Sequence, residues 1–245
     1  MIVYNGIKNE FMKDCKAGVI ADKVRDNILI KLGRHTADNE YRSWENSLIQ
    51  MYVVIDDDAI PGDAGIAIEY NVPQTAKRVD FMISGYDQFE KPNVVIIELK
   101  QWDQLGAVEE SESLVRTFTG GAPRQVVHPS YQAWSYAQLI MDYNSHVQDK
   151  NVLLHPCAYL HNYKRFEQDP LDYTQYKDYL DEAPAYSKGQ GNLLCRFIKQ
   201  FIRFGDRKEI LYDIDNGKIR PSKRLQDAIL GMVKGNQEFI MIDTT

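Results

Sequence analysis

Hydrophobic positions along the chain switch between helical and strand-like spacing. Val19, Ile20, Val24, Ile28, Leu29 and Leu32 recur every three or four residues and stop at Gly33, which predicts a helix over 17–33. A second helix is predicted over 39–54, around Trp44, Glu45, Leu48, Ile49 and Met51. After the polar turn region Asp56–Asp63, three apolar runs read as strands: Ile66–Tyr70, Val79–Ser84 and Val94–Leu99. Gly and Pro between Gly85 and Asn93 suit a hairpin connection. Leu105–Val127 reads as a long connector, containing Gly120-Gly121 and Pro123. His128–Tyr143 is predicted helical with Pro129 in its first turn. Val152–Leu160 reads as a strand that Pro156 places at an edge or an irregular position. Asp169–Ser187 is rich in Tyr, Asp and Pro, and helices are predicted over Leu193–Phe204 and Ser222–Val233. This order predicts an α/β domain with a mixed central sheet flanked by helices.

The most informative run is Val94-Val95-Ile96-Ile97-Glu98-Leu99-Lys100. Four β-branched residues in succession indicate a strand buried on both faces. Strand side chains alternate, so Glu98 and Lys100 project to one side and Ile97 and Leu99 to the other. Charge at the end of a buried strand is costly unless compensated. Asp80 lies at the end of Lys77-Arg78-Val79-Asp80 and opens the apolar run Phe81-Met82-Ile83. On neighbouring strands, Asp80 and Glu98 with the Leu99 carbonyl form a partial oxygen shell suited to Mg²⁺ or Mn²⁺. Such an ion acidifies water and stabilises phosphoryl charge, with Lys100 orienting the water or neutralising charge. The competing reading is an Asp in a turn and a solvated Glu–Lys pair, and the spacing taken alone is loose.

Two further features bear on this chemistry. Gln132 and Tyr136 are four apart on a predicted helix, and their amide and phenol suit a substrate phosphate or a metal-held water. Tyr136 could equally pack the core with Ala133, Ala137 and Ile140. Glu45, on the helix upstream, is a further candidate ligand, although a single helical Glu is more often simply exposed. Trp44, Trp102 and Trp134 neighbour these residues in sequence and could stack bases, but core packing is favoured for at least two. His155 and His161 flank the later strand, and no histidine spacing matches a metal motif.

At 245 residues, 44% hydrophobic and 26% charged, the chain suits one soluble globular domain, or one with an appendage. No apolar run approaches the roughly 20 residues needed to cross a bilayer, and Met1–Lys16 lacks the apolar core of a secretory signal. Cys15, Cys157 and Cys195 are widely spaced, which fits buried thiols in a reducing cytoplasm better than disulfides or a thiolate zinc site. The net charge is −6, yet residues 188–234 carry eleven basic against five acidic residues, leaving the remainder at −12. That segment reads equally as a phosphate-tracking basic face and as amphipathic helices with solvated cations. Residues 1–187 are accordingly read as the core and 188–245 as a basic helical C-terminal extension.

Taken in order, Glu45, Asp80, Glu98-Leu99-Lys100 and Gln132-x-x-x-Tyr136 resemble the PD-(D/E)xK nucleases, and the last element is similar to their RecB-type branch. Ser43-Trp44-Glu45-Asn46-Ser47-Leu48, Lys77-Arg78-Val79-Asp80 and Glu98-Leu99-Lys100-Gln101-Trp102 resemble the N-terminal region of bacterial Schlafen-like DNA/RNA helicases. The resemblance implies a restriction-endonuclease-like core that hydrolyses DNA, single strands or ends foremost, with RNA also open. It implies metal ligation by Asp80 and Glu98, catalysis by Lys100, and support from Glu45, Gln132 and Tyr136. It also implies a role in a nuclease–helicase of DNA processing or anti-phage defence. No phosphate loop occurs, because Gly189-Gln190-Gly191 lacks the required lysine. The apolar run Phe239–Ile242 near the C-terminus is read as the start of a further segment, so the chain is either a piece of a longer nuclease–helicase or a stand-alone module. The rival reading is a catalytically silent nucleic-acid-binding or regulatory module with a nuclease-like fold.

Overall fold

The computed structural model describes residues 1–233, so Phe239–Ile242 and Lys234 lie outside the described residues. In chain order the elements are β1 (Ile2–Ile7), α1 (Lys8–Lys16), α2 (Ile20–Leu32), α3 (Asp38–Ile55), β2 (Gly65–Asn71), β3 (Arg78–Tyr86) and β4 (Pro92–Lys100). There follow β5 (Gly106–Ala107), β6 (Leu114–Thr119), β7 (Ala122–Val127), α4 (Pro129–Tyr143), α5 (Ser145–Lys150) and β8 (Leu153–Leu160). Two short 3-10 turns lead to α6 (Lys177–Glu182), β9 (Ala185–Ser187), α7 (Gly191–Phe201), α8 (Glu209–Asn216) and α9 (Lys223–Val233).

Among the described residues six strands form one mixed sheet in the order β1-β2-β3-β4-β8-β9. β1 to β4 pair antiparallel, whereas β8 runs parallel to β4 and β9 parallel to β8. β3 and β4 therefore sit at the centre, where their unbroken apolar runs can be covered on both faces. One face packs α1, α2, α3 and α7 through Phe11, Val24, Ile28, Leu48, Met51 and Ile198 against Phe81, Ile83, Val95 and Ile97. The other packs α4, α5 and α8 through Tyr136, Ala137, Ile140, Val147, Leu211 and Ile214 against Met82, Val94 and Ile96. The architecture is thus α/β, a mixed sheet between two helical layers.

The predicted helices and central strands are present, and Gly33 ends α2 with a left-handed φ of 64°. Several expectations need correction. Leu105–Val127 is not an open connector but a small antiparallel sheet, β5-β6-β7. Its two-residue hairpin loop is Gly120-Gly121, both at positive φ (59° and 80°), the backbone that primed hairpin turns require. β8 lies inside the sheet, yet Pro156 is tolerated for the expected reason. β9 pairs only with Ala158–Leu160. The Ala158 N–H points to that side, donating to the Pro184 carbonyl. Two residues earlier Pro156 aims its missing N–H the same way, where β8 has no neighbour.

Residues 188–233, read as an appended basic extension, are built into the main fold. α7 contributes Leu194, Cys195 and Ile198 to one core layer, and α8 contributes Ile210, Leu211 and Ile214 to the other. Lys199 pairs with Asp57, Arg207 with Asp63, Lys208 with Glu10, Arg220 with Asp149 and Arg224 with Asp142. Five of the segment's cations are thus paired with carboxylates earlier in the chain. Among the described residues no helix is long and apolar enough to cross a membrane.

Candidate functional site

The pairing register decides which charged residues meet. Ile68 pairs with Phe81 and Tyr70 with Val79, so Glu69 on β2 lies opposite Asp80 on β3. Phe81 pairs with Ile97, so one step further Asp80 lies opposite Glu98 on β4. Glu69, Asp80 and Glu98 thus form one row across three strands, and the next row holds Arg78 and Lys100. Like charges directly opposite each other destabilise a sheet. The row persists because each carboxylate is held by something else.

Glu98 is 2% exposed, and its Oε1 takes a 2.6 Å hydrogen-bonded ion pair from Lys100 Nζ. Its other oxygen, Oε2, is buried with no hydrogen-bond partner. Burial, and next the nearby Asp80 charge, push the Glu98 carboxyl up to about 8 against the pull of Lys100. Lys100 is itself raised. Burial alone would lower it, but the charges of Glu98 and Asp80 outweigh that effect. Asp80 is fixed by accepting the Leu99 backbone N–H at 2.9 Å.

Glu69 has φ 59°, a left-handed backbone that is rare for a glutamate in a strand. The reversal turns both Ala67 and Tyr70 to the α4 layer and carries Glu69 to the other partners at the sheet end. Trp44 Nε1 donates to Glu69 Oε1 at 2.9 Å, and Arg78 Nε pairs with Oε2 at 2.5 Å. Burial, with the Asp80 charge adding, pushes Glu69 up to about 7 although Arg78 opposes it. Arg78 also reaches Glu40 at 2.6 Å, and Arg34 grips Glu40 with two 2.8 Å bonds. This arrangement holds Glu40 below the ordinary carboxylate range, chiefly through the Arg34 hydrogen bond.

These groups line a pocket of 860 Å³ at the end of the sheet, between α3 and α4. From α4, Gln132 and Tyr136 face it, and Gln132 Nε2 donates to the Tyr136 hydroxyl at 2.8 Å. Tyr136 is mostly buried, and its phenol is raised by that burial and by the Glu98 charge. Asp80, Glu98, Leu99, Lys100, Gln132 and Tyr136 are therefore brought together. Glu45 is not. On α3 the pocket is lined by Asn39, Glu40, Ser43, Trp44, Ser47 and Leu48, a face of three- and four-residue spacing. Glu45 lies about 100° round the helix from Trp44, exposed beside Tyr41, whose hydroxyl bonds Asp22 on α2. Its expected place as metal ligand is corrected accordingly, and the acidic residue that α3 does present is Glu40.

Sequence reasoning missed Glu40, Glu69 and Arg34. A lone Glu inside the apolar run Ile66–Tyr70 was the available signal. Trp44 is core, whereas Trp102 and Trp134 are half-buried. His161 is buried with Nε2 3.0 Å from the Ser47 hydroxyl, and His155 stacks on Phe201 at 3.5 Å. Both are driven below the usual histidine range by burial.

Among the described residues no group of three or more His, Cys, Asp or Glu is gathered as a metal cage. Any ion here would draw on Asp80, Glu98 and the Leu99 carbonyl, and complete its shell with water and substrate oxygens, the usual habit of Mg²⁺. The buried, unpartnered Glu98 Oε2 is compatible with such a ligand. Comparison of the chain with protein-family models, curated proteins and solved structures found no match.

Proposed function

We propose that this pocket is the active site of a Mg²⁺- or Mn²⁺-dependent nuclease that hydrolyses DNA phosphodiester bonds, built on a PD-(D/E)xK-type core. The observation that carries the reading is the convergence of Asp80 and buried Glu98 beside Lys100 in one pocket. A mixed sheet between helices is also the architecture that the motif resemblance implies.

Asp80, Glu98 and the Leu99 carbonyl would hold the cation, which supplies a Lewis acid for phosphoryl oxygen and an acidified water. The residues of the chain do the rest. Lys100 places a fixed ammonium beside the carboxylate pair, where it offsets charge developing on phosphate. Gln132, braced by Tyr136, offers an amide to a phosphate oxygen. Arg34 and Arg78 line the same pocket and provide positive charge for flanking phosphates. We further propose that this centre serves a nuclease–helicase in DNA processing or anti-phage defence, in the cytoplasm. That part rests on the motif resemblance alone.

Incubating the protein with single-stranded and duplex DNA, with and without Mg²⁺ or Mn²⁺, tests the reading. Cutting should require metal and should vanish in Asp80→Ala, Glu98→Ala and Lys100→Ala. Metal-dependent cutting that survives all three substitutions would falsify the assignment. Salt-sensitive DNA binding without cleavage under any metal would favour the silent binding module.

A further inference from the structure

A second cleft, of 540 Å³, adjoins the carboxylate pocket and shares Lys100, Gln132 and Tyr136 with it. Its other walls come from Lys77 before β3, Trp102 after β4, Thr119 and Val126 of the small sheet, and Tyr131 and Ser135 of α4. Two features define its chemistry. The first is an aromatic wall. Trp102 is its half-buried, more open ring, with Lys100 Nζ 5.3 Å from the ring centroid, while Tyr131 is 8% exposed, packed against Tyr179 at 4.7 Å and beside Trp134, and backs the cleft. The second is positive charge at both ends, from Lys100 at the junction and from exposed Lys77.

We infer that this cleft is a binding subsite for one unpaired nucleotide, flanking the phosphate that reaches Lys100, so that a polynucleotide enters the site as a single strand. The inference rests on the reading of the carboxylate pocket as a phosphodiester-cleaving centre. In a duplex, each base is covered above and below by its neighbours and cannot lie against the Trp102 ring. An unpaired base exposes that surface, and base–aromatic contact is tolerant of sequence. A cleft of this volume is of the size that encloses a small ligand, and it opens directly into the pocket where the phosphate would lie. The β5-β6-β7 sheet then has a role, which is to form the outer wall of the strand path.

The test measures fluorescence anisotropy of labelled dT12, U12 and a 12-base-pair blunt duplex on the full chain, in EDTA. dT12 is expected to bind at least about tenfold tighter than the duplex. Trp102→Leu and Lys77→Ala should each weaken dT12 by about five- to tenfold without changing duplex affinity, whereas Trp102→Phe should stay within about threefold. Phe118→Ala, on the opposite face of β6, should change nothing. U12 binding more tightly than dT12 through the same residues would support the subsite with RNA as the source of the strand. Because Trp102 also packs the neighbouring core, a melting curve accompanies that variant, and Lys77→Ala decides if Trp102→Leu does not fold. Equal affinity for duplex and dT12, or dT12 affinity unmoved by the substitutions, overturns the subsite. Wild-type cleavage with Mg²⁺ is read separately. Its absence, with the expected binding pattern intact, would defeat the nuclease reading and leave the subsite standing. Cleavage alongside silent Trp102 and Lys77 variants would do the reverse.

Discussion

Asp80 accepts the backbone N–H of Leu99 at 2.9 Å, so the carboxylate on β3 is anchored to the residue lying between Glu98 and Lys100 on β4. The bond crosses the strand pair one step beyond its last registered residues, Phe81 and Ile97. It gives Asp80 two separable roles, a charge beside Glu98 and an acceptor that closes the sheet end. Asn in its place keeps an acceptor oxygen and removes the charge. Asp80→Asn is therefore expected to melt at or slightly above the wild-type temperature, because a like charge beside buried Glu98 is gone. Metal-dependent cutting should nevertheless be lost. Asp80→Ala, which also orphans the Leu99 N–H, should cost about 1–3 kcal/mol. Thermal melts of the two variants with a cleavage assay separate the roles. An Asn variant as unstable as the Ala variant would contradict this account.

The raised carboxyls make the metal-free protein sensitive to alkali. Glu98 is pushed up to about 8 and Glu69 to about 7, from an ordinary value of 4.5, mainly by burial. Groups raised on folding stabilise the native state fully below their unfolded value, and that stabilisation is lost as pH rises through the folded value. The melting temperature without divalent metal should thus fall between about pH 4.5 and pH 8 and level off above that, and Glu98→Gln should flatten much of that fall. At the proposed site Mg²⁺ would have to displace the proton, so its stabilising effect should be larger at pH 8.5 than at pH 6.5. Calorimetry in EDTA and in Mg²⁺ across this range checks the sign. A melting temperature that rises with pH in EDTA would contradict the burial argument.

The central strands were legible because β-branched runs such as Val94–Ile97 have no other stable setting than a covered sheet. Asp80, Glu98 and Lys100 were legible because charge at the end of such a run demands compensation. Glu69 was hidden by its backbone. Nothing in Ile66–Tyr70 announces a left-handed residue, and simple alternation would have placed Tyr70 on the wrong face. β1 and α1 were hidden because Lys8 and Asp14 look like surface residues. Both are buried, Lys8 donating to the carbonyls of Asp57 and Ile60, and Asp14 accepting from Tyr4 and Lys23. The β6–β7 hairpin did carry a signal, since Leu114–Thr119 alternates up to Gly120-Gly121, but its exposed Arg116, Phe118 and Gln125 gave the look of a loop.

Glu45 and Glu40 offer a contrast on one helix. Glu45→Ala, exposed and outside the pocket, should leave cutting, metal affinity and melting temperature within about twofold or 1–2 °C of wild type, as surface substitutions generally do. Glu40→Ala strips the shared partner from Arg34 and Arg78 and leaves Arg78 to Glu69 alone. It should lower the melting temperature. It should also strengthen binding of polyanions, because two guanidinium groups lose an internal counter-charge. Anisotropy titrations with the same oligonucleotide at two salt concentrations measure this. Loss of cutting in Glu45→Ala would restore it to the site.

Gln132 and Tyr136 share one hydrogen bond but sit in different surroundings. Gln132 is half-buried on the pocket wall, while Tyr136 is packed among Met82, Ile96, Ala137 and Ile140. Gln132→Ala should therefore leave the melting temperature close to wild type and reduce cutting strongly, because a contact made chiefly in the transition state is lost. Tyr136→Phe keeps the packing and removes the acceptor that braces the amide. It should cut at an intermediate rate, with most of its defect in kcat rather than KM, since the amide remains present but is no longer held in place. Tyr136→Ala, by contrast, opens a cavity in the core and should cost about 3–5 kcal/mol. The order of activity expected is wild type, Tyr136→Phe, then Gln132→Ala, while the order of stability differs, with only Tyr136→Ala strongly impaired. If Gln132→Ala cuts as fast as wild type, the amide is incidental to the chemistry. If instead it unfolds the protein, its bond to Tyr136 is structural, and the resemblance of this helix to the RecB-type branch loses its main support.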